Sequence, residues 1–117
     1  MKRTATIAAA AGLMLTFGVT GTAQAGIDCT NIGQCSIWTG SFPGGTISID
    51  VDAINRGGGL SSENLRWQLN GVIGCYARFD VKEPARSWVC NAPAGNYQLV
   101  AWSPPGNRYD WDLGVRW

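Results

Sequence analysis

The chain has 117 residues, 45% hydrophobic and 15% charged, with four cysteines, six tryptophans and no histidine. The absence of histidine excludes the serine–histidine and cysteine–histidine nucleophile mechanisms, and together with the lack of a C-x-x-C pair it disfavours zinc as the rival reading of the four cysteines. Nine basic and eight acidic residues in no basic cluster exclude the concentrated positive charge that nucleic acid or an anionic membrane surface needs.

In chain order, Lys2 and Arg3 form a positive start, Ile7 to Val19 an apolar run, and Ala23-Gln24-Ala25 a small-x-small cleavage pattern. This predicts a secretory signal peptide over 1–25, export to the extracellular space and a single domain over 26–117. The apolar run of about 13 residues is shorter than the roughly 20 that span a bilayer, and no cysteine follows it directly to carry a lipid. Past Ala25 the charges are seven basic (Arg56, Arg66, Arg78, Lys82, Arg86, Arg108, Arg116) against eight acidic, a net of −1.

A domain of this size buries only about 60% of the surface its unfolded chain exposes and needs staples. Cys29, Cys35, Cys75 and Cys90, an even number in a short exported chain, read as two disulfides with three possible pairings. The expected pairing is Cys29–Cys35, clamping a turn through Asn31-Ile32-Gly33, and Cys75–Cys90, tying neighbouring strands.

Glycine and proline punctuate the remainder, and between them the apolar period is two. The stretch "SIWTGSFPGG", with Trp38, reads as a lead-in to the first strand. "GGTISIDVDAIN" sets Ile47, Ile49, Val51 and Ala53 against Ser48, Asp50 and Asp52. "NRGGG" (Asn55 to Gly59) and Ser61 to Asn64 form a loop. "ENLRWQLNG" aligns Leu65, Trp67 and Leu69 and closes on the turn signal Asn70-Gly71. "CYARFDVK" sets Cys75, Ala77, Phe79 and Val81 against Tyr76, Arg78 and Asp80. "ARSWVC" pairs Trp88 with Cys90. "GNYQLVAW" sets Tyr97, Leu99 and Ala101 against Gln98, Val100 and Trp102. After the turn "SPPGN", "RYDWDLGVRW" puts Tyr109, Trp111, Leu113, Val115 and Trp117 on one face. Six strands without helices predict an all-β fold, a small antiparallel β-sandwich or jelly roll.

From about Gly44 to Trp117 the pattern resembles the pre-peptidase C-terminal domains of secreted bacterial proteins. The resemblance rests on "GGTISIDV", "PAGNYQLVA" and a closing Tyr-x-x-x-Leu-x-Val strand. It departs where that family's acidic central strand is replaced by Arg66-Trp67-Gln68-Leu69, and no protease domain accompanies it. The resemblance implies a jelly-roll sandwich that binds or targets, and it carries over no site residue.

No enzyme activity is expected. Glycosidase chemistry needs two carboxylates across a cleft, and a small sandwich with a filled core offers little cleft. Asp50-x-Asp52 and Asp110-x-Asp112 raise calcium, yet alternating acids are also what an exposed strand face carries, so no metal or cofactor is expected. Tryptophan is the informative excess. Trp67, Trp111 and Trp117 fall on core faces and Trp88 near the Cys75–Cys90 bridge, but Trp38 and Trp102 fit the inside less well. Exposed rings with polar neighbours suit stacking on sugars, and the competing reading is that both cap the ends of the sandwich. The expected function is non-enzymatic binding of a carbohydrate or cell-envelope polymer by a monomer, through Trp38 and Trp102 with Gln98 and Arg78 as polar contacts. The alternative is an effector directed at an extracellular protein, a hydrolase inhibitor or antimicrobial, presenting the Asn55–Gly59 loop or the Cys29–Cys35 clamp.

Overall fold

The structure, a computed structural model, describes residues 24–55 and 64–117. The expected signal peptide, apart from Gln24 and Ala25, and the Gly57-Gly58-Gly59 loop lie outside the described residues. Among the described residues eight strands follow one another: β1 Ala25–Ile32, β2 Gln34–Trp38, β3 Gly45–Asn55, β4 Asn64–Asn70, β5 Tyr76–Asp80, β6 Arg86–Ala92, β7 Gln98–Trp102 and β8 Tyr109–Arg116.

Their pairing is that of one long hairpin rolled up. Strand β1 pairs with β8, β2 with β7, β3 with β6 and β4 with β5, all antiparallel. Lateral pairing of β3 with β8 and of β4 with β7 then completes two four-stranded sheets, β1-β8-β3-β6 and β2-β7-β4-β5. This is jelly-roll topology. The period-two pattern explains the layers, because alternate side chains of each strand face the space between the sheets. Ile47, Ile49, Val51, Leu65, Trp67, Leu69, Leu99, Ala101, Tyr109, Trp111, Leu113 and Val115 are all buried there. Full burial of a branched aliphatic or aromatic side chain of this kind contributes about 1.5–3 kcal/mol.

Aromatic residues fill the side of the sandwich near β5 and β6. Trp88 lies 5.2 Å from Trp67 and 5.8 Å from Phe79, centroid to centroid, and the Arg86 guanidinium sits 4.6 Å from the Trp88 ring centroid. Trp117, on the core face as expected, packs edge-on against Phe42 at 5.2 Å.

Both expected disulfides are present, at 2.00 and 2.04 Å S–S. Their placement is more informative than their pairing. Strands β1 and β2 are edges of opposite sheets on one side of the sandwich, and β5 and β6 are edges on the other side. Cys29–Cys35 joins the first pair. Cys75, immediately before β5, joins Cys90 in β6. Each open side is therefore stapled, and the first bridge links two strands where the sequence suggested a clamped turn.

Two strands escape the sequence pattern. β1 is largely exposed on both faces, so it shows no apolar alternation, and a bulge around Asn31 (φ 53°) shifts its register between Cys29 and Ile32. Asparagine tolerates that left-handed conformation better than most residues. β2 is only five residues long, yet all five pair with β7. Trp38 thus ends a strand and does not lead into one. The turn after Asn70 is also longer than the two-residue turn that Asn70-Gly71 suggested. Gly71 to Gly74 form it, with φ of 97° and 78° at the two glycines, and the Leu69 N–H donates to the Cys75 carbonyl across its base at 2.9 Å.

One ion pair ties three strands. Arg116 Nε and Nη2 each donate to an Asp50 carboxylate oxygen at 2.8 Å, and the Ser87 hydroxyl donates to the same carboxylate. The pair is largely shielded, at 26% and 13% side-chain exposure. Asp50→Ala leaves Arg116 without its fork partner, and a hydrogen-bonded charged group of this kind is worth about 1.5–3 kcal/mol. The expected result is a melting temperature lowered by roughly 6 °C or more, measured by thermal denaturation, with Ser87→Ala costing less.

Candidate functional site

The outer face of β2-β7-β4-β5 gathers the residues that strand parity keeps out of the core. The register defines its rows. Gln34, Trp102, Arg66 and Arg78 lie side by side across all four strands. Ser36, Val100, Gln68 and Tyr76 form the second row, and Trp38, Gln98 and Asn70 the third. Trp38 is 56% exposed and Tyr76 65%, while Trp102 is partly buried among its neighbours. The Gln68 side-chain amide donates to Asn70 Oδ1 at 2.7 Å along the same face.

All four residues expected to bind, Trp38, Trp102, Arg78 and Gln98, therefore share this one face. Trp38 and Gln98 are direct cross-strand neighbours, whereas Arg78 is two strands from Trp102 with Arg66 between them. Each tryptophan is the last residue of its strand and stands on the outward parity of the sheet. With about 4.8 Å between strands and 3.4 Å per residue, the α-carbons of Trp38 and Trp102 are about 14 Å apart and those of Tyr76 and Trp102 about 12 Å. Three rings thus stand at the corners of a triangle on a polar sheet. Tyr76, Gln34 and Arg66 were not among the expected site residues. Parity alone places Tyr76 beside Arg78 on the outer side of β5, but only the strand order brings it onto the face that holds Trp102.

The opposite outer face is acidic. Asp28, Asp112 and Asp52 lie in one cross-strand row on β1, β8 and β3. With Asp110, Thr30 and Ile54 they line a shallow depression. The Asp50/Asp52 strand lies beside the Asp110/Asp112 strand, and the register sets Asp52 against Asp112 and Asp50 against Gly114, where it is held by Arg116. Asp110 accepts the Asn31 backbone N–H at 2.9 Å and so helps hold the β1 bulge. Among the described residues no three carboxylates are grouped as a metal ion would require.

The sequence matches no family model and no curated protein. The fold is similar to the crystal structure of the pre-peptidase C-terminal domain of collagenase from Bacillus anthracis, with a TM-score of 0.51 and 17% identity over 80% of this chain and 89% of that one. The resemblance read in the sequence is thus a resemblance of fold.

Proposed function

We propose that the protein is an exported, non-enzymatic binding module that adsorbs to a carbohydrate or cell-envelope polymer through the outer face of β2-β7-β4-β5. The observation that carries this reading is the placement of Trp38, Trp102 and Tyr76 on one solvated sheet face among amide side chains. A large ring left in water forgoes the burial that stabilises a core, and it is suited to cover the apolar face of a sugar while neighbouring amides bond its hydroxyls. The two disulfides fit an oxidising, extracellular compartment. The fold neighbour, by its printed name a domain of a collagenase, fits an accessory role.

The reading predicts that a bound polysaccharide shifts or quenches tryptophan emission. Trp38→Ala and Trp102→Ala should each weaken binding about tenfold or more, the scale of a buried aromatic anchor, while leaving the melting temperature nearly unchanged. Unaltered affinity in both variants would remove this face from the account. A second reading, an effector directed at an extracellular protein, draws on Ile73, which is fully exposed at the tip of the β4–β5 turn. In that case Ile73→Asp abolishes the activity and the tryptophan variants do not.

A further inference from the structure

Resting on the polymer-binding reading of this face, we propose that Arg66 and Arg78, with Trp102 and Gln34 in the same row, form a subsite for the anionic group of an acidic polysaccharide. The register sets Arg66 directly opposite Arg78 on the neighbouring strand and Trp102 directly opposite Arg66 on the other side. Like charges placed directly across a sheet oppose its pairing, so this arrangement works against the fold.

The other described arginines are engaged. Arg86 meets Glu83 and the Trp88 ring, Arg108 donates to the Asn31 carbonyl, and Arg116 grips Asp50. Among the described residues, neither Arg66 nor Arg78 has a hydrogen-bonding or ion-pairing partner, and both are exposed. Two guanidinium forks side by side match a carboxylate or sulfate, which each can take in a bidentate manner.

The aromatic neighbour extends this beyond a simple anion. Directly opposed residues stand about 5 Å apart, so a sugar ring lying on Trp102 brings a substituent within reach of Arg66 one strand away. Gln34, on the far side of Trp102, is placed to bond a hydroxyl of that same ring. The ligand that fits is a glycan whose sugar carries its charge next to an apolar ring face. A stray anion would use the arginines without the ring.

The test compares retention of the purified protein on immobilised polygalacturonate, dextran sulfate, cellulose and single-stranded DNA, with and without high salt. The expected result is retention on an acidic glycan at least tenfold above cellulose, lost in high salt as screened charge contacts are. Preference for polygalacturonate or for dextran sulfate assigns the group as carboxylate or sulfate. Arg66→Gln and Arg78→Gln should remove the acidic preference, and Trp102→Ala should remove retention on the glycan itself. Equal retention on cellulose, equal retention on DNA, or an acidic preference that survives both arginine variants overturns the subsite while leaving the aromatic face in place. No retention on any of these glycans overturns the subsite, and the polymer-binding reading falls with it only if chitin and peptidoglycan also fail to retain the protein.

Discussion

Trp111→Ala is expected to destabilise the domain by about 3–5 kcal/mol, the range for an aromatic side chain deleted from a packed core, against a total stability of about 5–15 kcal/mol for a typical domain. Trp111 is 2% exposed on β8, which has a strand on either side in its sheet, and it stacks edge-on against Tyr109 at 5.9 Å. Its indole Nε1–H also donates to the Ile32 carbonyl at 2.9 Å, tying the end of edge strand β1 to the core. The hydrogen bond can be separated from the packing by comparison with Trp67. Trp67 is equally buried, but among the described residues its Nε1–H has no hydrogen-bond partner. Trp111→Phe removes the hydrogen bond to the Ile32 carbonyl, whereas Trp67→Phe removes a donor that was already unsatisfied. Urea denaturation should therefore find Trp111→Phe more costly than Trp67→Phe by about 1 kcal/mol. Equal costs would mean that the indole bond to β1 contributes nothing.

The second large effect belongs to the disulfides, and the two should differ. Cys75 and Cys90 are 15 residues apart and Cys29 and Cys35 only six. Closing the longer loop restricts the unfolded chain more, giving about 3 kcal/mol against about 2 kcal/mol in the chain-entropy account. For a domain of this size each kcal/mol moves the melting temperature by about 4–8 °C. Replacing both Cys75 and Cys90 with alanine should lower it by roughly 12–24 °C, and replacing Cys29 and Cys35 by roughly two thirds of that. Cys75 is also buried beside the Trp67–Trp88–Phe79 side of the core, so its loss loosens packing there as well. A larger shift from the Cys29–Cys35 pair would show that anchoring β1 to β2 matters more than loop length.

The core was legible because burial and alternation are the same fact read in two ways. Ile47 to Ala53, Leu65 to Leu69 and Tyr109 to Val115 show it strand by strand. The edges were not legible, because an edge strand such as β1 buries neither face and leaves no period to read. β2, five residues with Cys35 alone fully buried, is too short to show one either, and so Trp38 reads as lying ahead of the first strand when it ends β2. The site was half legible. Parity puts Trp102, Arg78 and Gln98 on outward faces, but which outward residues meet depends on strand order. Arg66 reaches Trp102 only because β4 lies between β7 and β5, and nothing within β4 itself encodes that. Register likewise decided the aspartates, since the Asp50/Asp52 strand does lie beside β8, yet it aligns Asp50 with Gly114 and frees it to take Arg116.

Whether this sheet face holds a polymer is decided by adsorption. The purified protein and its Trp38→Ala/Trp102→Ala variant would be passed over insoluble chitin, cellulose and peptidoglycan and over immobilised polygalacturonate and dextran sulfate, after thermal denaturation has shown that the variant folds. Retention of the protein on at least one polymer, with loss of retention in the variant, is the predicted result. Passage of both through all of them, or equal retention of the two, would rule this face out as a polymer-binding surface.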